Sequence, residues 1–297
     1  MAMLRSNFPK LLVENLREVF FLQYKQKTSI YPRLFEILSS KKKMESEYSV
    51  ASLGMLAEKV EGNPLSYDDF IGGYQTDFTH TTFAKGIRFS EELIEDELYR
   101  VMSQRSKALA RSAWYRKEYD HASLFNNAFS TSYTGGDSVA LCSASHPRAD
   151  GGTVQSNTAG AVDLTLANLE TTCNAFAALK DDRGLLIGVT PKYLLVPRAL
   201  EYDAFEITKS SGKPFTADNE ANFFQGRLTV IVWDFLTDTD AWFVLSDKSD
   251  GAPISFNRVP TSFKEDGDFD TGDLKMKART RYSYGWRDWR WVYGGSG

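Results

Sequence analysis

The chain has 297 residues, of which 42% are hydrophobic and 13% aromatic, enough apolar material for a core of ordinary size. Lysine and arginine number 35 against 39 aspartates and glutamates, which argues against a protein whose main task is to neutralise phosphate. The two cysteines, Cys142 and Cys173, form no CxxC pair, so they exclude a disulfide framework and predict a reducing compartment.

An amphipathic helix is predicted at residues 4 to 25, where apolar side chains recur at spacings of three and four. Arg5, Lys10 and Glu14 are among the charged residues that interrupt every stretch able to serve as a signal-peptide core. The longest apolar runs elsewhere are far shorter than the roughly 20 residues needed to cross a bilayer. We therefore expect an N-terminal arm on a soluble protein with no membrane partner.

The chain changes character between about Met44 and Phe89, where Thr, Tyr and Phe alternate loosely with other residues. Two extended limbs are predicted, one containing Tyr74 to Phe78 and the other Phe83 to Phe89. The Gly62-Asn63-Pro64 cluster ahead of them is a turn signal. The pattern indicates a long hairpin-like loop that has few apolar residues to bury on its own account and needs a neighbour to lie on.

One long helix is predicted from 90 to 119. Ser90 is a suitable N-cap, acidic residues fill the opening turns and basic residues follow, an order that complements the helix dipole. Unbroken, this helix would be about 45 Å long, well beyond the usual three turns. It would form the spine of its domain.

An α/β module is predicted between 165 and 255, after a stretch rich in Gly, Ser and Thr that is typical of irregular loop. Thr165 opens a helix that is stopped by Gly184. The other predicted elements are buried strands at 185–189 and 193–196, a helix at 198–208, and a hairpin of strands at 228–236 and 242–246.

The last predicted strand has a period of two. From 274 to 287 the even positions are mostly apolar or aromatic, while the odd positions include Lys275, Lys277, Arg279 and Arg281. An unbroken strand over 273–287 would be about 50 Å long, two to three times the usual length. A strand and a helix of similar length predict an elongated domain.

The sequence contains no motif for catalysis or metal binding. His80, His121 and His146 have no ligand-like spacing, and we interpret them as surface or loop polarity. The Gly212-Lys213 pair lacks the upstream glycine and the hydroxyl of a phosphate loop. The acidic run from Asp266 to Asp273 departs from a calcium loop at its glycine and its final glutamate, so a solvated turn is favoured. We expect neither cofactor nor metal.

The basic side of the last strand has two explanations. Cations interleaved with Tyr and Trp could bind nucleic acid. However, a strand whose apolar side covers a helix must carry soluble residues on its other side, and acidic residues of a neighbouring subunit could pair with them. We favour a subunit or solvent contact. An enzyme with a site in the α/β module is a separate alternative, and its candidate acids are Asp181, Asp182, Glu201 and Asp203.

Several segments resemble a known family in their order and spacing. They are Ala84-Lys85-Gly86-Ile87 leading into Ser90 to Asp96, Leu141 to Pro147 followed by Gly151-Gly152-Thr153 and Ser156-Asn157, Asp181-Asp182-Arg183-Gly184, and Leu194 to Leu200. On these residues the chain resembles the major capsid proteins of tailed phages, and among them the Mu-like major head subunits. The resemblance is clearest from about 80 to 293.

The resemblance implies an α+β protein with the Hong Kong 97-type fold. Its implied parts are an N-terminal arm at 1–45, an extended loop at 46–88 lying over an adjacent subunit, a peripheral domain at 89–164 and 256–297 that contains the spine helix and the returning strands, and an axial domain at 165–255. It also implies a structural protein rather than an enzyme. Pentamers and hexamers of it would form an icosahedral shell that encloses phage double-stranded DNA without sequence-specific binding.

Scaffold, portal and decoration proteins are the partners that the resemblance implies, and the virion, assembled in the host cytoplasm, is the implied location. Because the arm begins almost at Met1, a separate scaffold or a processed precursor is expected. The candidate subunit contacts are Lys59, Asn63, Tyr67, Phe78, Arg100, Arg105, Asp181, Arg183, Lys275, Lys277, Arg279 and Arg281. Some relatives cross-link through Lys and Asn side chains, and Lys59 and Asn63 lie near the loop tip. An encapsulin-like shell of a cellular compartment is the alternative that keeps this fold.

Overall fold

The computed structural model describes residues 8–50, 53–56, 58–62, 64–65, 67–69, 72–96, 99–213, 220–268 and 270–297. The helices are α1 (Phe8–Gln26), α2 (Tyr31–Leu34), α3 (Glu91–Glu95), α4 (Tyr99–Asn126), α5 (Leu166–Ala177) and α6 (Glu201–Lys209). The strands are β1 (Glu36–Ser39), β2 (Met44–Val50), β3 (Gly72–Thr79), β4 (Thr81–Phe89), β5 (Thr158–Gly160), β6 (Pro191–Val196), β7 (Thr229–Val232), β8 (Trp242–Ser246), β9 (Ile254–Gly267), β10 (Leu274–Gly285) and β11 (Val292–Gly295).

Two helices lie on one side of a four-stranded sheet whose strand order is β1-β9-β10-β4. In β10 the even residues from Met276 to Tyr282 are buried, while Lys275, Lys277 and Arg279 are exposed, so the predicted period of two is confirmed. Leu16 of α1 and Leu109 of α4 share one apolar cluster with residues on this sheet. The alternation therefore sets which side of the sheet the helices cover.

The structure contains the predicted spine helix as two helices, α3 and α4, and α4 extends beyond the predicted end at 119. Ser90 caps α3 by accepting a hydrogen bond from the Leu93 N–H, as expected for this N-cap. The chain leaves helical geometry at Asp96, and α4 then runs for 28 residues, roughly 42 Å, to Asn126. The prediction that the helix ends near 119 is wrong, because Ala122, Leu124 and Phe125 continue the helix into the core of the second sheet.

That second sheet has five strands in the order β5-β11-β8-β6-β7, and both of its sides are covered. Phe243 and Leu245 of β8 point into a cluster with Phe125 at the end of α4. Trp242 and Val244, on the other side of the same strand, point into a cluster with Leu169 of α5 and other residues of α5 and α6. The predicted helix start at Thr165 is confirmed, since its hydroxyl accepts from the Asn168 N–H.

Two expectations for the α/β module are wrong in detail. Strands β7 and β8 do not form a hairpin, because β6 lies between them and pairs with both. Residues 185–189 make only an isolated bridge at Leu186 and no strand. Outside the predicted module, the last strand, β11, pairs with β8 of the five-stranded sheet. The predicted domain boundary near 256 stays a prediction. In the segment after it, β10 pairs within the four-stranded sheet and β11 pairs within the five-stranded sheet.

The loop predicted between 46 and 88 contains a real hairpin, although its limbs differ from the predicted ones. Strands β2 and β3 pair antiparallel, from Met44 with Thr79 to Val50 with Gly72. The second predicted limb is β4, which instead pairs with β10 at the edge of the four-stranded sheet. Gly62, in the turn region, has a φ of 86°, a conformation that favours glycine. The turn signal therefore belongs to the β2–β3 hairpin.

None of the described helices combines the length and the hydropathy needed to cross a membrane.

A pair of substitutions in β10 tests the register of the long strand. Met276 is 1% exposed and faces the helices, while Lys277 is exposed on the other side. We expect Met276→Lys to lower the free energy of unfolding by about 3 to 5 kcal/mol, because it buries a charge without a partner. The control Lys277→Met is expected to change it by less than about 0.5 kcal/mol. Urea titration of both variants measures this, and equal effects would contradict the register.

Candidate interaction surfaces

The connection between β2 and β3 exposes large apolar side chains to solvent. Six of them are at least 48% exposed: Leu53, Met55, Leu56, Val60, Leu65 and Tyr67. Leu56 is 101% exposed and Tyr67 is 92% exposed, so neither finds cover on its own chain. Lys59 is exposed in the same segment, whereas Asn63 lies outside the described residues. An apolar set of this kind marks an interaction surface.

The base of the same hairpin is held by its own chain. Phe78 is 3% exposed and its ring centroid lies 5.2 Å from that of Phe256 on β9. Phe78 therefore has a packing role inside the subunit, and its expected role as a subunit contact stays a prediction. The hairpin therefore has an anchored base and an apolar connection that has no cover.

A turn of the α/β module clamps the returning limb of the connection. The Asp181 carboxylate accepts from the backbone N–H groups of Arg183 and Leu185, which shapes the turn. Arg183 then donates to the Asp68 carboxylate at 2.9 Å and to the Asp69 carbonyl at 2.5 Å. These contacts bring together two predicted interface residues, Asp181 and Arg183, and give both a role inside the subunit.

The Asp68 carboxylate also accepts a hydrogen bond from the Gly54 N–H, at 2.9 Å. One aspartate thus links the two limbs of the connection to each other and to Arg183. The backbone hydrogen bond from Gly54 and the nearby Arg183 guanidinium lower the pKa of Asp68, so the clamp is charged at neutral pH. Exposed ion pairs contribute little to stability. We therefore infer that the contact between Asp68 and Arg183 sets the direction of the connection between β2 and β3.

The side of the four-stranded sheet opposite the helices is basic. Lys277 and Arg279 are exposed there, and Arg281 is half-buried beside them. Lys275 is also exposed but forms an ion pair with Asp268. Within the described ranges no acidic side chain pairs with Lys277, Arg279 or Arg281. The structure therefore brings the four predicted basic residues together on one face and leaves three of them available to a partner.

Two further predicted residues lie on the spine helix. Arg100 is exposed at the start of α4. Arg105 is exposed too, and its guanidinium lies 5.9 Å from the centroid of the Phe89 ring at the end of β4. Arg105 therefore lies over the edge of the four-stranded sheet, whereas Arg100 has no such neighbour among the described contacts.

The interpretation of the three histidines as surface or loop polarity is wrong. His80, His121 and His146 are 5%, 1% and 0% exposed. The His80 ring lies between the Ser283 and Ser40 hydroxyls, and burial lowers its pKa. The His146 ring lies between the Asp137 carboxylate and the Asn157 amide oxygen. Both ring nitrogens of His80 and of His146 therefore lie within hydrogen-bond distance of a partner inside the fold.

His121 is one of several buried ionisable side chains on the second half of α4. Its Nδ1 lies 2.7 Å from the Lys117 carbonyl and its Nε2 lies 2.8 Å from the Ser255 hydroxyl. Burial lowers the pKa of His121 to about 3, so the ring is neutral. Burial likewise lowers the pKa of Lys117 to about 8. These shifts come from exclusion of water and not from a catalytic arrangement.

Glu118 is a residue that sequence reasoning missed. It is 1% exposed, and its carboxylate accepts from the Trp233 indole N–H at 2.9 Å and from the Ile30 N–H at 3.1 Å. Burial raises its pKa against the effect of these bonds. The glutamate joins the N-terminal segment, the spine helix and the five-stranded sheet. Because Glu118 lies in a run of charged residues, the sequence pattern did not indicate that it is buried.

Arg290 was also missed, although it stands between Trp289 and Trp291 in the sequence. It is 7% exposed and donates to the Asp182 carboxylate at 2.7 Å and to the Lys180 carbonyl at 2.9 Å. A charged residue flanked by two tryptophans was the signal that could have revealed a buried ion pair.

The acids considered for an enzyme do not form a catalytic group. Asp181 shapes its turn, Asp182 pairs with Arg290, and Glu201 pairs with Arg198 at 2.8 Å. Asp203 is exposed on α6. No cluster of three or more potential metal ligands occurs in the part of the chain that the structure describes.

A family model described as phage capsid protein matches residues 73–294. This range covers the spine helix, the five-stranded sheet up to residue 294, and every strand of the four-stranded sheet except β1. No curated protein sequence matches the chain significantly.

Solved structures share the fold at low identity. The capsid structure of the cyanophage P-SCSP1u is 10% identical, with a TM-score of 0.58 over 91% of this chain and 88% of that one. The capsid of bacteriophage JBD30, decorated with minor capsid protein trimers, is 13% identical, with a TM-score of 0.57 over 71% and 92%. A virus-like particle from Pyrococcus furiosus is 8% identical, with a TM-score of 0.52 over 95% and 98%.

The buried His121 predicts a pH dependence of stability. The unfolded chain protonates this histidine near its usual pKa of 6.5, while the fold holds the pKa at about 3. Between those values the unfolded state binds the extra proton, so the free energy of unfolding falls as the pH is lowered. We expect His121→Gln to flatten that slope by up to about 1.4 kcal/mol per pH unit.

Urea titrations of the unassembled subunit between about pH 4 and pH 7 measure how the free energy of unfolding changes with pH. The raised pKa values of Glu118 and Asp120 act in the opposite direction. Both residues are retained in the variant, so their effect cancels in the difference. An undiminished slope in His121→Gln would show that this ring is not the source.

Proposed function

This chain belongs to the phage capsid protein family, and we propose that pentamers and hexamers of it close into an icosahedral shell around phage double-stranded DNA. It is a major capsid protein, a structural subunit of the virion of a bacteriophage with the Hong Kong 97-like fold.

The exposed apolar connection between β2 and β3 is the observation that carries the proposal. An isolated soluble subunit gains nothing from leaving Met55, Leu56 and Tyr67 in water. Full burial of a side chain such as leucine stabilises an interface by roughly 1.5 to 3 kcal/mol. Covering the whole set with a neighbouring subunit therefore favours assembly, and we infer that the loop at 46–88 lies over an adjacent copy.

The two sheets have separate roles in this proposal. The four-stranded sheet with α1 and α4 forms the peripheral domain, which extends the subunit along the shell wall. The five-stranded sheet with α5 and α6 forms the axial domain, which meets its copies at the capsomer centre. Three exposed aromatic side chains support that second role: Tyr202, Phe205 and Phe223.

DNA would be enclosed without sequence-specific readout. The net charge of −4 is unsuited to a tight phosphate-binding protein, and the free cations beside Arg279 can pair with acids of a neighbouring subunit. Portal and scaffold proteins are proposed partners of the assembling shell. A decoration protein is a further one, supported by the likeness to a capsid that carries minor capsid protein trimers. Assembly is proposed to occur in the host cytoplasm.

We further propose that the chain has no enzymatic activity. The acids of the α/β module form structural ion pairs and turn contacts, as shown by Asp182 with Arg290. Alanine at Asp181 or Glu201 should then disturb assembly rather than any turnover.

A cellular compartment is the second candidate, since the likeness to the virus-like particle from Pyrococcus furiosus covers nearly the whole chain. Neighbouring genes separate the two functions. Portal, terminase and protease genes accompany a phage head, whereas a peroxidase or ferritin-like gene would indicate a loaded compartment.

The assembly role predicts a specific loss on removing the apolar cover of the loop. The double variant Leu56→Ser, Tyr67→Ser changes two exposed side chains, so the free energy of unfolding should change by less than about 0.5 kcal/mol per site. We expect it to remain unassembled where the unsubstituted chain forms closed particles, as counted by negative-stain electron microscopy.

The matched control is Tyr133→Ser, which removes a 57% exposed tyrosine outside the loop and should leave particle yield unchanged. Assembly should be tried with and without a co-expressed scaffold protein. If the unsubstituted chain stays monomeric in all conditions, or if the double variant assembles normally, the proposed role of the loop fails.

A further inference from the structure

His146 lies between two oxygen atoms in the interior of the subunit. Its side chain is 0% exposed and that of Asp137 is 5% exposed. The Nδ1 atom of His146 lies 2.6 Å from a carboxylate oxygen of Asp137, and its Nε2 atom lies 3.0 Å from the amide oxygen of Asn157. A neutral imidazole has one N–H group and one acceptor nitrogen, so it can donate to only one of these two oxygens.

The orientation of the Asn157 amide is fixed by three further hydrogen bonds. Its nitrogen donates to the carbonyls of Leu141 at 2.8 Å and of Val292 at 3.2 Å, and its oxygen accepts from the Ser143 N–H at 2.8 Å. Exchanging the amide oxygen and nitrogen would set acceptor against acceptor twice and donor against donor once. The amide oxygen therefore faces His146, and the ring has to donate to it.

We propose that the His146 ring carries a proton on both nitrogens at neutral pH and is a buried cation that holds the segment 134–157 on the five-stranded sheet. Donation to Asp137 and to Asn157 then satisfies both contacts of the ring. Asn157 in turn binds the Val292 carbonyl of β11. Breaking a buried, hydrogen-bonded ion pair destabilises a fold strongly, so the three side chains of Asp137, His146 and Asn157 act as a latch.

The groups packed against the ring are compatible with a positive charge. The Trp289 ring is stacked on the imidazole at a centroid distance of 4.1 Å, and the face of an indole attracts a cation. The Arg290 guanidinium lies 4.8 Å from the centroid of the same indole. Its charge is balanced by ion pairs with Asp182 and Asp288, so it does not oppose a second cation nearby.

The latch also reaches the base of the β2–β3 hairpin. Gly136, next to Asp137, lies so close to β3 that a Cβ atom there would be 2.6 Å from the Gln75 carbonyl oxygen. Tyr74 of β3 is a further titratable neighbour, and burial together with the Asp137 charge raises its pKa. Loss of one proton from His146 at higher pH would leave a nitrogen lone pair facing an oxygen lone pair. The latch is therefore expected to open in base and to loosen the hairpin base with it.

The other two histidines are internal standards for this charge state. His121 donates from Nδ1 to the Lys117 carbonyl, which leaves Nε2 as an acceptor. The Ser40 hydroxyl donates to the Glu45 carboxylate, so it accepts from Nε2 of His80. The Nδ1 atom of His80 is then an acceptor. Both rings are neutral in this scheme, and each has one bare nitrogen.

Nitrogen NMR of the full chain with isotope-labelled histidine tests the charge state. A bare ring nitrogen resonates far from a protonated one, and substitution of each histidine by glutamine assigns the signals. We expect one bare nitrogen on His80, one on His121 and none on His146 at neutral pH. Subunits are measured in solution, and particles by magic-angle spinning. A bare nitrogen on His146 at neutral pH would overturn the proposal.

The variant Asp137→Asn tests which group holds the second proton. It replaces the carboxylate with a neutral amide of similar shape, so we expect one bare nitrogen on His146 and unchanged signals from His80 and His121. The matched control Asp203→Asn, at an exposed position of α6, should leave all three rings unchanged. A doubly protonated His146 in Asp137→Asn would contradict the pairing with Asp137.

The Cys142 thiol reports opening of the latched segment. It is buried, and a Cβ atom at Gly294 of β11 would lie 2.9 Å from its sulfur. Cys173 is buried on α5 and serves as the reference, since burial raises the pKa of both thiols. We expect Asp137→Asn to raise the ratio of Cys142 to Cys173 alkylation rates at least about tenfold at neutral pH, as for loss of one charge-assisted hydrogen bond. Peptide mass spectrometry measures both rates, and an unchanged ratio would refute the latch.

The same ratio tests the sensitivity to base. In the unsubstituted chain it should rise over the pH range in which NMR shows loss of the second His146 proton. Burial lowers the pKa of Lys117 to about 8, so this lysine titrates in base as well. Asp137→Asn retains Lys117 and should show no such rise. A ratio that stays constant while His146 loses its proton would refute the opening in base.

These measurements are made on the single subunit and are independent of the shell function. If His146 has a bare nitrogen, the latch fails while particle formation stands as a separate result. If the chain never assembles, the NMR spectrum still decides the charge state. If Asp137→Asn does not fold, the spectrum of the unsubstituted chain and its alkylation ratio across the pH range decide alone.

Discussion

The burial of α4 against both sheets is the constraint on which the rest of the subunit depends. Its first half packs on the four-stranded sheet through Leu109, and its end packs on the five-stranded sheet through Phe125. The ring centroid of Phe125 lies 5.3 Å from that of Phe243 and 6.1 Å from that of Trp291. Because one stiff helix reaches both cores and interiors are close-packed, the two sheets behave as one unit.

This burial also accounts for the polar residues inside the fold. A helix covered on several sides carries Lys117, Glu118 and His121 out of water, and each such group destabilises the fold unless it gains partners or becomes neutral. Glu118 gains the Trp233 indole N–H, while His121 is held neutral between a carbonyl and a serine hydroxyl. The perturbed pKa values therefore follow from architecture, although such shifts elsewhere often indicate a catalytic site.

The exposed surfaces complement this closed interior. The loop between β2 and β3 exposes large apolar side chains such as Leu56 and Tyr67. The side of the four-stranded sheet opposite the helices exposes Lys277 and Arg279. In the proposed shell, neighbouring copies would cover both surfaces.

Local features of this protein follow from its amino-acid sequence alone. The predictions made from it include the caps at Ser90 and Thr165, the two sides of β10, and a loop with few apolar residues of its own to bury, which needs a neighbour to lie on. These follow from patterns within a few residues of one another. Long-range packing, in contrast, places β6 between β7 and β8, sets Phe78 against Phe256 and buries all three histidines. Those outcomes depend on which distant elements pack together, and a periodic pattern records which side of an element is apolar but not what will cover it.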